Sequence, residues 1–231
     1  MISTAQMRQF APHLGPQGAE TWARAFSTAL AVVGVSSNRE IRHFMAQVSH
    51  ESQGFTRLEE NLNYTAGRAH QIWPRRFPKP ATFAAGKQRL DPKQVAIIAY
   101  GGRMGNAPAP SEDGWTFRGR GPKMITGADN YRAFNAWAQA RRVGAPDFMT
   151  HPQMLATPTW GAMAAAWFWS VNGLSRIVAE DANENRAVAT VAVKMQNEED
   201  DLVQGTKRIN GGTIGLADRR ERLRLAMQVW P

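Results

Sequence analysis

Two glutamates nine residues apart are the first candidates for chemistry in this sequence. Glu51 follows Phe44 and Val48 at helical spacing, seven and three residues after them. This spacing puts its carboxyl group on or beside the apolar face of a helix predicted over 38–52. Burial raises the pKa of a carboxyl group, which a general acid needs near neutral pH. The alternative is a frayed helix end that turns Glu51 to solvent.

The second candidate, Glu60, is preceded by Glu59, and the two are equivalent on chemistry alone. Gly54 interrupts the helix between Glu51 and Glu60, so the chain can fold back and bring the side chains closer. Glycosidases that invert the anomeric centre hold two carboxyl groups about 6.5–9.5 Å apart, with a water between. The spacing permits this arrangement.

A glycine-rich loop over 115–127 is a third feature suited to binding a ligand. Two glycines within three residues let the backbone pass close to a ligand, but the Gly-Lys-Ser/Thr ending of a phosphate-binding loop is absent. Thr126 directly precedes a helical pattern and could be its N-cap. Aromatic side chains in loop regions could stack on sugar rings or pack beneath the loops: Tyr64, Trp73, Trp115 and Phe117.

Helical periodicity dominates the elements that must position these residues. It predicts helices over 19–33, 38–52, 127–142, 159–171, 186–195 and 217–229. Alternating strand patterns are nearly absent. Two segments rich in glycine, proline and aromatics, 73–90 and 101–123, resist helix assignment and are predicted to be loops that line a cleft. We therefore expect a mainly α fold.

Composition narrows the range of functions. The 231 residues carry a formal net charge of +9, with a pI near 10.6, which favours polyanionic partners. The absence of cysteine excludes disulfides, thiolate metal sites and a cysteine nucleophile. No zinc-finger spacing or RNA-binding box points to nucleic acid. The N-terminus lacks the basic start and apolar stretch of a secretory signal, so we expect synthesis in the cytoplasm without export by a signal peptide.

Four blocks in order along the chain resemble glycoside hydrolase family 19, the chitinase-like fold, and within it a group of phage lysins. They are the His-Glu block at 50–55, the Glu-Glu-Asn-Leu-Asn-Tyr block at 59–64, the Gly-Arg-Gly-Pro block within 117–126 and the Ile-Asn-Gly-Gly block at 209–212, which an Asp-Arg pair follows at 218–219. The segment 100–106 also looks lysin-like. Met124 stands where plant members carry glutamine, which puts one substrate contact in doubt.

The resemblance implies a lysozyme-like, chitinase-like helical fold with two lobes flanking a substrate cleft. The whole chain, 1–231, would be a single catalytic domain without a separate wall-binding module. Glu51 would be the general acid, Glu60 the general base, and Thr126 would help to hold the attacking water. Substrate-binding roles fall on Tyr64, Arg120, Asn130, Asn210 and Arg219. The family needs no metal or cofactor.

The activity implied is inverting hydrolysis of β-1,4 bonds between N-acetylated amino sugars. The lysin-like blocks, the positive charge and the missing signal favour bacterial peptidoglycan over nearly neutral chitin. We therefore expect an endolysin that acts as a monomer on the cell wall once a holin opens the membrane, with lipopolysaccharide as a further anionic partner and no nucleic-acid partner. The alternatives are a chitinase acting on chitin oligomers and a catalytically inactive basic protein that binds walls or nucleic acid.

The basic segment 217–229 has two interpretations. Its positive charge could disrupt outer membranes, or the helix could pack into the core with an apolar face turned inward. That face would consist of Leu216, Leu223, Ala226 and Trp230.

Overall fold

The computed structural model describes residues 1–141, 144–179 and 191–231, and within these ranges the fold is helical. The α-helices are α1 (Thr4–Phe10), α2 (Gly15–Val33), α3 (Asn38–Glu51), α4 (Ala66–Ile72), α5 (Phe83–Lys87), α6 (Pro92–Tyr100), α7 (Asp113–Thr116), α8 (Ala128–Ala140), α9 (Pro158–Val171), α10 (Leu174–Ile177), α11 (Val191–Asn210) and α12 (Leu216–Val229). The described residues contain isolated β-bridges but no named strand. The mainly α fold class is confirmed.

Local signals fix the ends of the helix that carries Glu51. The Ser37 side chain accepts a hydrogen bond from the Glu40 backbone N–H and caps the start of α3. Helix α3 ends at Glu51, and the chain then turns through Gly54, which has a φ of 69°. A side chain is strained at that φ, so glycine is suited to the turn. Glu51 is thus the last residue of α3.

The chain divides into two compact units, and the first comprises Met1–Leu58, Gly121–Lys123 and Ala156–Pro231. Its core packs α2 against α9 and α3 against α12. Aromatic rings from four segments meet there, with centroid distances between 5.1 and 5.7 Å: Trp22, Phe26, Phe44, Phe55 and Trp169. These large apolar groups supply most of the favourable burial near α3.

A buried cluster of charges joins α3 to α11 in the same unit. The Glu198 carboxylate accepts hydrogen bonds from Arg39 and Arg42, and its Oε2 lies 2.6 Å from His43 Nε2. Burial alone would raise the pKa of Glu198, but His43 and Arg42 outweigh it and lower the pKa to about 2. An unpaired charge would be costly at this depth, so the cluster fixes how α11 packs on α3.

The second unit comprises Glu59–Arg120 and Met124–Leu155. Its small apolar core consists of Leu62, Ala69, Phe77, Val95, Ala96 and Ala99. Partly buried aromatic side chains pack against this core, among them Tyr64, Trp73, Tyr100 and Trp115. Packing beneath the loops, one of the two predicted uses of these aromatics, is therefore observed.

Several predicted helices are confirmed, and two expectations about the elements are wrong. The predicted helix over 186–195 falls partly outside the described residues, and the helix there continues to Asn210. The segments 73–90 and 101–123 are not wholly loop, because they contain α5 and α7. Among the described helices none is both long and apolar enough to cross a membrane.

Helix α12 packs inward, as one of its two interpretations predicts. Leu223, Ala226 and Trp230 are buried, and Leu216 is partly buried against the same cluster. Its arginines bind carboxylates of the same unit: Arg220 binds Glu199, Arg222 binds Asp218 and Arg224 binds Glu221. The positive charge of this helix is therefore largely compensated, which does not favour the membrane-disrupting interpretation.

Candidate active site

The Glu60 carboxylate of the second unit is held by two donors. Its Oε1 accepts a hydrogen bond of 2.7 Å from the Gly119 backbone N–H, and its Oε2 accepts one of 2.7 Å from the Tyr100 hydroxyl. Burial, reinforced by the Glu60 charge, raises the pKa of Tyr100, so its hydroxyl keeps the proton that it donates. These bonds fix the orientation of the carboxylate.

Glu60 and Thr126 both approach the backbone closely at Gly119, where there is no side chain. A Cβ at Gly119 would lie 3.1 Å from Thr126 Oγ1 and 3.3 Å from Glu60 Cβ. The hydroxyl and the carboxylate-bearing side chain therefore border the same small volume.

Thr126 does not cap the helix that follows it. Helix α8 begins at Ala128 with Gly127 at the N-cap position, and the Thr126 hydroxyl donates instead to the Met124 carbonyl at 2.9 Å. The N-cap interpretation of Thr126 is therefore wrong. Asn130, on the first turn of α8, donates its side-chain amide to the Thr126 carbonyl at 2.8 Å and so braces the loop.

Glu59 is engaged in ion pairs. Its carboxylate accepts hydrogen bonds from Arg118 Nη2 at 2.7 Å and from Arg120 Nε at 3.1 Å. Burial would raise the pKa of Glu59, but the two guanidinium groups outweigh it and lower the pKa. Of the two adjacent glutamates, Glu60 is the one whose carboxylate is not bound to arginine.

Arg120, whose substrate-binding role stays a prediction, is buried and paired inside the protein. Arg120 is only 3% exposed, and its Nη1 donates to the Thr116 carbonyl at 2.7 Å and to the Tyr131 hydroxyl at 3.0 Å. With Glu59 as a further partner, the guanidinium is directed into the protein. Its role is to brace the glycine-rich loop from within.

Tyr64 lies close enough to Glu60 for the carboxylate charge to affect the pKa of its hydroxyl. Its ring is half-buried and packs edge-on against Trp73, with centroids 5.3 Å apart. Burial and the charge of Glu60 together raise the pKa of Tyr64. Glu60, Thr126, Asn130 and Tyr64, all predicted from the sequence, thus belong to one unit, and a hydrogen bond joins Asn130 to Thr126.

In the first unit, Glu51 is paired with Arg219 of α12. Arg219 donates from Nη2 to the Glu51 carboxylate and from Nη1 to the Gln47 side-chain carbonyl. Gln47 in turn donates to the Thr206 hydroxyl at 3.1 Å. Arg219 is 1% exposed, so its guanidinium is buried and positions Glu51, and its substrate-binding role stays a prediction.

The surroundings of Glu51 differ from the apolar shielding expected from the sequence. Its side chain is 19% exposed, and besides Arg219 it lies within the electrostatic range of Lys123. The Lys123 ammonium sits 4.5 Å from the centre of the Phe168 ring. Burial lowers the pKa of Lys123, Glu51 opposes that shift and Arg219 adds to it. Two cations therefore face Glu51.

Asn210, the remaining predicted substrate-binding residue, closes the turn after α11. Its side-chain amide donates to the Ile214 carbonyl at 3.1 Å, and the residue is exposed. The substrate-binding role of Asn210 stays a prediction. In the described part of the chain, no cluster of three or more His, Asp or Glu side chains could hold a metal ion.

Sequence reasoning gave no role to three residues that the structure places at these carboxylates. They are Tyr100 beside Glu60, and Gln47 and Lys123 around Glu51 and its arginine. Tyr100 lies in the lysin-like segment 100–106, which was the one available signal. Gln47 lies one turn before Glu51 on α3, but its spacing alone does not indicate a shared partner.

Comparison with known proteins identifies relatives over nearly the whole chain, although no protein-family model matches it. A protein of Haemophilus influenzae named "Glycosyl hydrolase family 19 domain-containing protein" is 30% identical over 227 residues, which cover 98% of this chain and 96% of the relative. A crystal structure of a chitinase C mutant shares 16% identity and a TM-score of 0.53, covering 99% of this chain and 92% of its own. Chitinase C from Streptomyces griseus HUT6037 shares 17% identity over 91% of this chain and 77% of its own, with a TM-score of 0.41. The chitinase C mutant supports the same helical fold.

Proposed function

Because this chain belongs to glycosyl hydrolase family 19 and is therefore a glycoside hydrolase, we propose that it cleaves β-1,4 bonds between the N-acetylated amino sugars of bacterial peptidoglycan. The observation that carries the proposal is the arrangement around Gly119, where the Glu60 side chain and the Thr126 hydroxyl border the same narrow space beside the backbone. A carboxylate fixed by two hydrogen bonds beside such a space is suited to activating a water molecule.

The mechanism assigned here is a single displacement with inversion. Glu51 donates a proton to the leaving glycosidic oxygen, and Glu60 removes a proton from the water that attacks the anomeric carbon. Thr126 orients that water, and Arg219 holds the Glu51 carboxyl group in place. Atoms and charge balance, since the proton lost by Glu51 is matched by the one that Glu60 gains.

Charge supports peptidoglycan over chitin as the substrate. The chain carries a formal net charge of +9, and bacterial walls are anionic whereas chitin is nearly neutral. Long-range attraction would raise the local concentration of an anionic substrate and speed association at low salt. We extend the proposal to an endolysin role, in which the protein reaches the wall from the cytoplasm and its activity lyses the host cell.

The decisive test compares Glu51→Gln and Glu60→Gln with the wild type on purified peptidoglycan. Each variant should keep the fold and lose at least about 100-fold in the rate of reducing-end formation. Glu221→Gln is the matched control, because that side chain is 67% exposed and, among the described residues, its ion pair is with the exposed Arg224. Wild-type rates in either test variant would refute the assignment of that residue.

Two further measurements test the stereochemistry and the substrate. Proton NMR of fresh product should show the inverted anomer first, whereas retention would refute the single displacement. Mass spectrometry of the digest should identify the sugar that carries the new reducing end. If soluble products come from chitin oligomers while peptidoglycan stays intact, the protein is a chitinase and the substrate proposal fails.

A further inference from the structure

A cavity of about 590 Å³ in the second unit takes no part in the mechanism above. It lies in the part of the chain formed by α4, α5 and the segment that joins them, which the sequence marks as rich in glycine, proline and basic residues. The side chains that matter for its chemistry are Arg68, His70, Gln71, Lys79, Phe83 and Lys87.

The charged side chains that line the cavity carry positive charge, with no negative charge among the lining residues. Arg68, Lys79 and Lys87 are cationic, and none of the lining residues is Asp or Glu. Arg68 donates to the neutral Gln71 side chain at 3.2 Å, and the Lys87 ammonium lies 4.4 Å from the centre of the Phe83 ring. The ion pairs found among the described residues include none of these three cations, whereas the arginines of α12 are paired. An anionic ligand would find partners here.

The cavity also offers an apolar contact and a rigid floor. Phe83 is 80% exposed, so apart from the nearby Lys87 ammonium its ring is open to contact with a ligand. The backbones of Gly67 and Gly86 approach so closely that a Cβ on Gly67 would lie 3.0 Å from the Gly86 carbonyl oxygen. His70 is held by its Nδ1, 2.9 Å from the Phe77 carbonyl oxygen. These features are suited to a ligand with both carboxylate and aliphatic groups.

The position of the cavity relates it to Glu60 through a short stretch of chain. Thr65, which lines the cavity and caps α4, is five residues after Glu60, so their Cα atoms are at most ~18 Å apart. A peptide of three or four residues spans about 10–14 Å when extended. The upper bound on this separation is of the same order as the combined reach of a bound sugar ring and a peptide attached to it.

We propose that this cavity binds the carboxylate-bearing peptide stem of peptidoglycan. The inference rests on the proposed function and deepens it, because it explains how the enzyme would distinguish peptide-bearing glycan from bare glycan. Lys79 and Lys87 bind the carboxylates, and Phe83 packs against the aliphatic side chains of the stem.

The test is a double variant, Lys79→Gln with Lys87→Gln, which removes two charges from the cavity. Its matched control is Arg24→Gln with Lys207→Gln, which lowers the net charge equally at exposed positions outside the cavity. On peptide-bearing peptidoglycan, the cavity variant should raise KM about tenfold at unchanged kcat. On the same glycan stripped of its peptides by an amidase, its KM should equal that of the wild type. Equal effects on both substrates, or the same effect in the control, would overturn the proposal.

Direct binding separates this inference from the proposed function. A free acidic stem tetrapeptide should bind the wild type in calorimetry at low salt, and binding should fall about tenfold or more in the cavity variant. If the wild type cleaves stripped glycan but does not bind the tetrapeptide, the inference fails while the proposed function stands. If the tetrapeptide binds but no glycan of peptidoglycan is cleaved, the proposed function fails and the cavity keeps its ligand. Binding of lipopolysaccharide vesicles or inorganic phosphate in place of the tetrapeptide would assign the cavity to phosphate groups and overturn the peptide assignment.

Discussion

Alanine at position 119 would fill the space that Glu60 and Thr126 share. The new Cβ would lie 3.1 Å from Thr126 Oγ1 and 3.3 Å from Glu60 Cβ, so each neighbour must give way by a few tenths of an ångström. The backbone at Gly119 has no positive φ, so the substitution adds no backbone strain there. The perturbation is therefore confined to the space proposed to hold the attacking water.

The expected effect on rate follows from the size of that displacement. A misplacement of about 1 Å at a reacting centre costs roughly 100-fold in rate, so a shift of a few tenths predicts about a tenfold loss of kcat. The hydrogen bond of 2.7 Å from the Gly119 N–H to Glu60 would also be disturbed. The folded state should be destabilised by about 2 kcal/mol or less. Alanine restricts the unfolded chain, which stabilises by about 0.4–1 kcal/mol, whereas crowding costs about 1–3 kcal/mol.

The assay is the steady-state rate on peptidoglycan, with thermal unfolding measured in parallel. Gly205→Ala is the matched control, because its Cβ would meet no atom closer than 3.7 Å, and α11 should tolerate it. We expect Gly119→Ala to lose about tenfold in kcat at nearly unchanged KM, and the control to keep its activity. Full activity in Gly119→Ala, with unfolding at the wild-type temperature, would refute a water site above this glycine.

Three further predictions test other contacts. Tyr100→Phe removes one hydrogen-bond donor to Glu60. Because a hydrogen bond to a charged group contributes about 1.5–3 kcal/mol, kcat/KM should fall about 10-fold or more. An unchanged kcat/KM would show that this bond does not matter for catalysis. The folded-state pKa of Glu198, about 2, lies below its ordinary value of 4.5, so its contribution is complete above pH 4.5 and is lost as the pH falls toward 2. That loss should amount to roughly 3 kcal/mol in urea unfolding, and in Glu198→Gln this part of the pH dependence should disappear. Lys123→Met replaces a cation that burial disfavours with an apolar side chain, so the protein should be equally or more stable in urea unfolding; a loss of stability would show that the attraction to Glu51 outweighs the cost of burying the charge.

Helices whose ends are marked by local residues could be predicted from the sequence. Ser37 caps α3, and Gly34 ends α2 with a left-handed φ of 79°, so both signals lie beside the apolar stripes that they bound. The short helices α4, α5, α7 and α10 were missed, because four to seven residues hold too few turns to show a period. The extent of α11 was predicted wrongly. Part of its buried face is the Glu198 carboxylate, and a search for apolar periodicity does not detect a buried charged residue.

The two carboxylates of the candidate site could be predicted from the sequence, but the residues that bind them could not. Glu51 and Glu60 carry chemistry that residue type and spacing can indicate. Tyr100 reaches Glu60 across 40 positions of sequence, so tertiary packing decides that contact. Arg120 and Arg219 were assigned to substrate by their motifs, but a motif does not show whether a guanidinium points outward or into the protein. In this structure both are buried against carboxylates.

The contact between Glu51 and Arg219 joins residues 168 positions apart. During translation, the helix that ends at Glu51 leaves the ribosome long before α12 has been made. The proposed general acid therefore lacks its guanidinium partner until α12 has emerged as well. A nascent chain that stops before α12 would therefore contain Glu51 and Glu60 but lack the contact between Glu51 and Arg219.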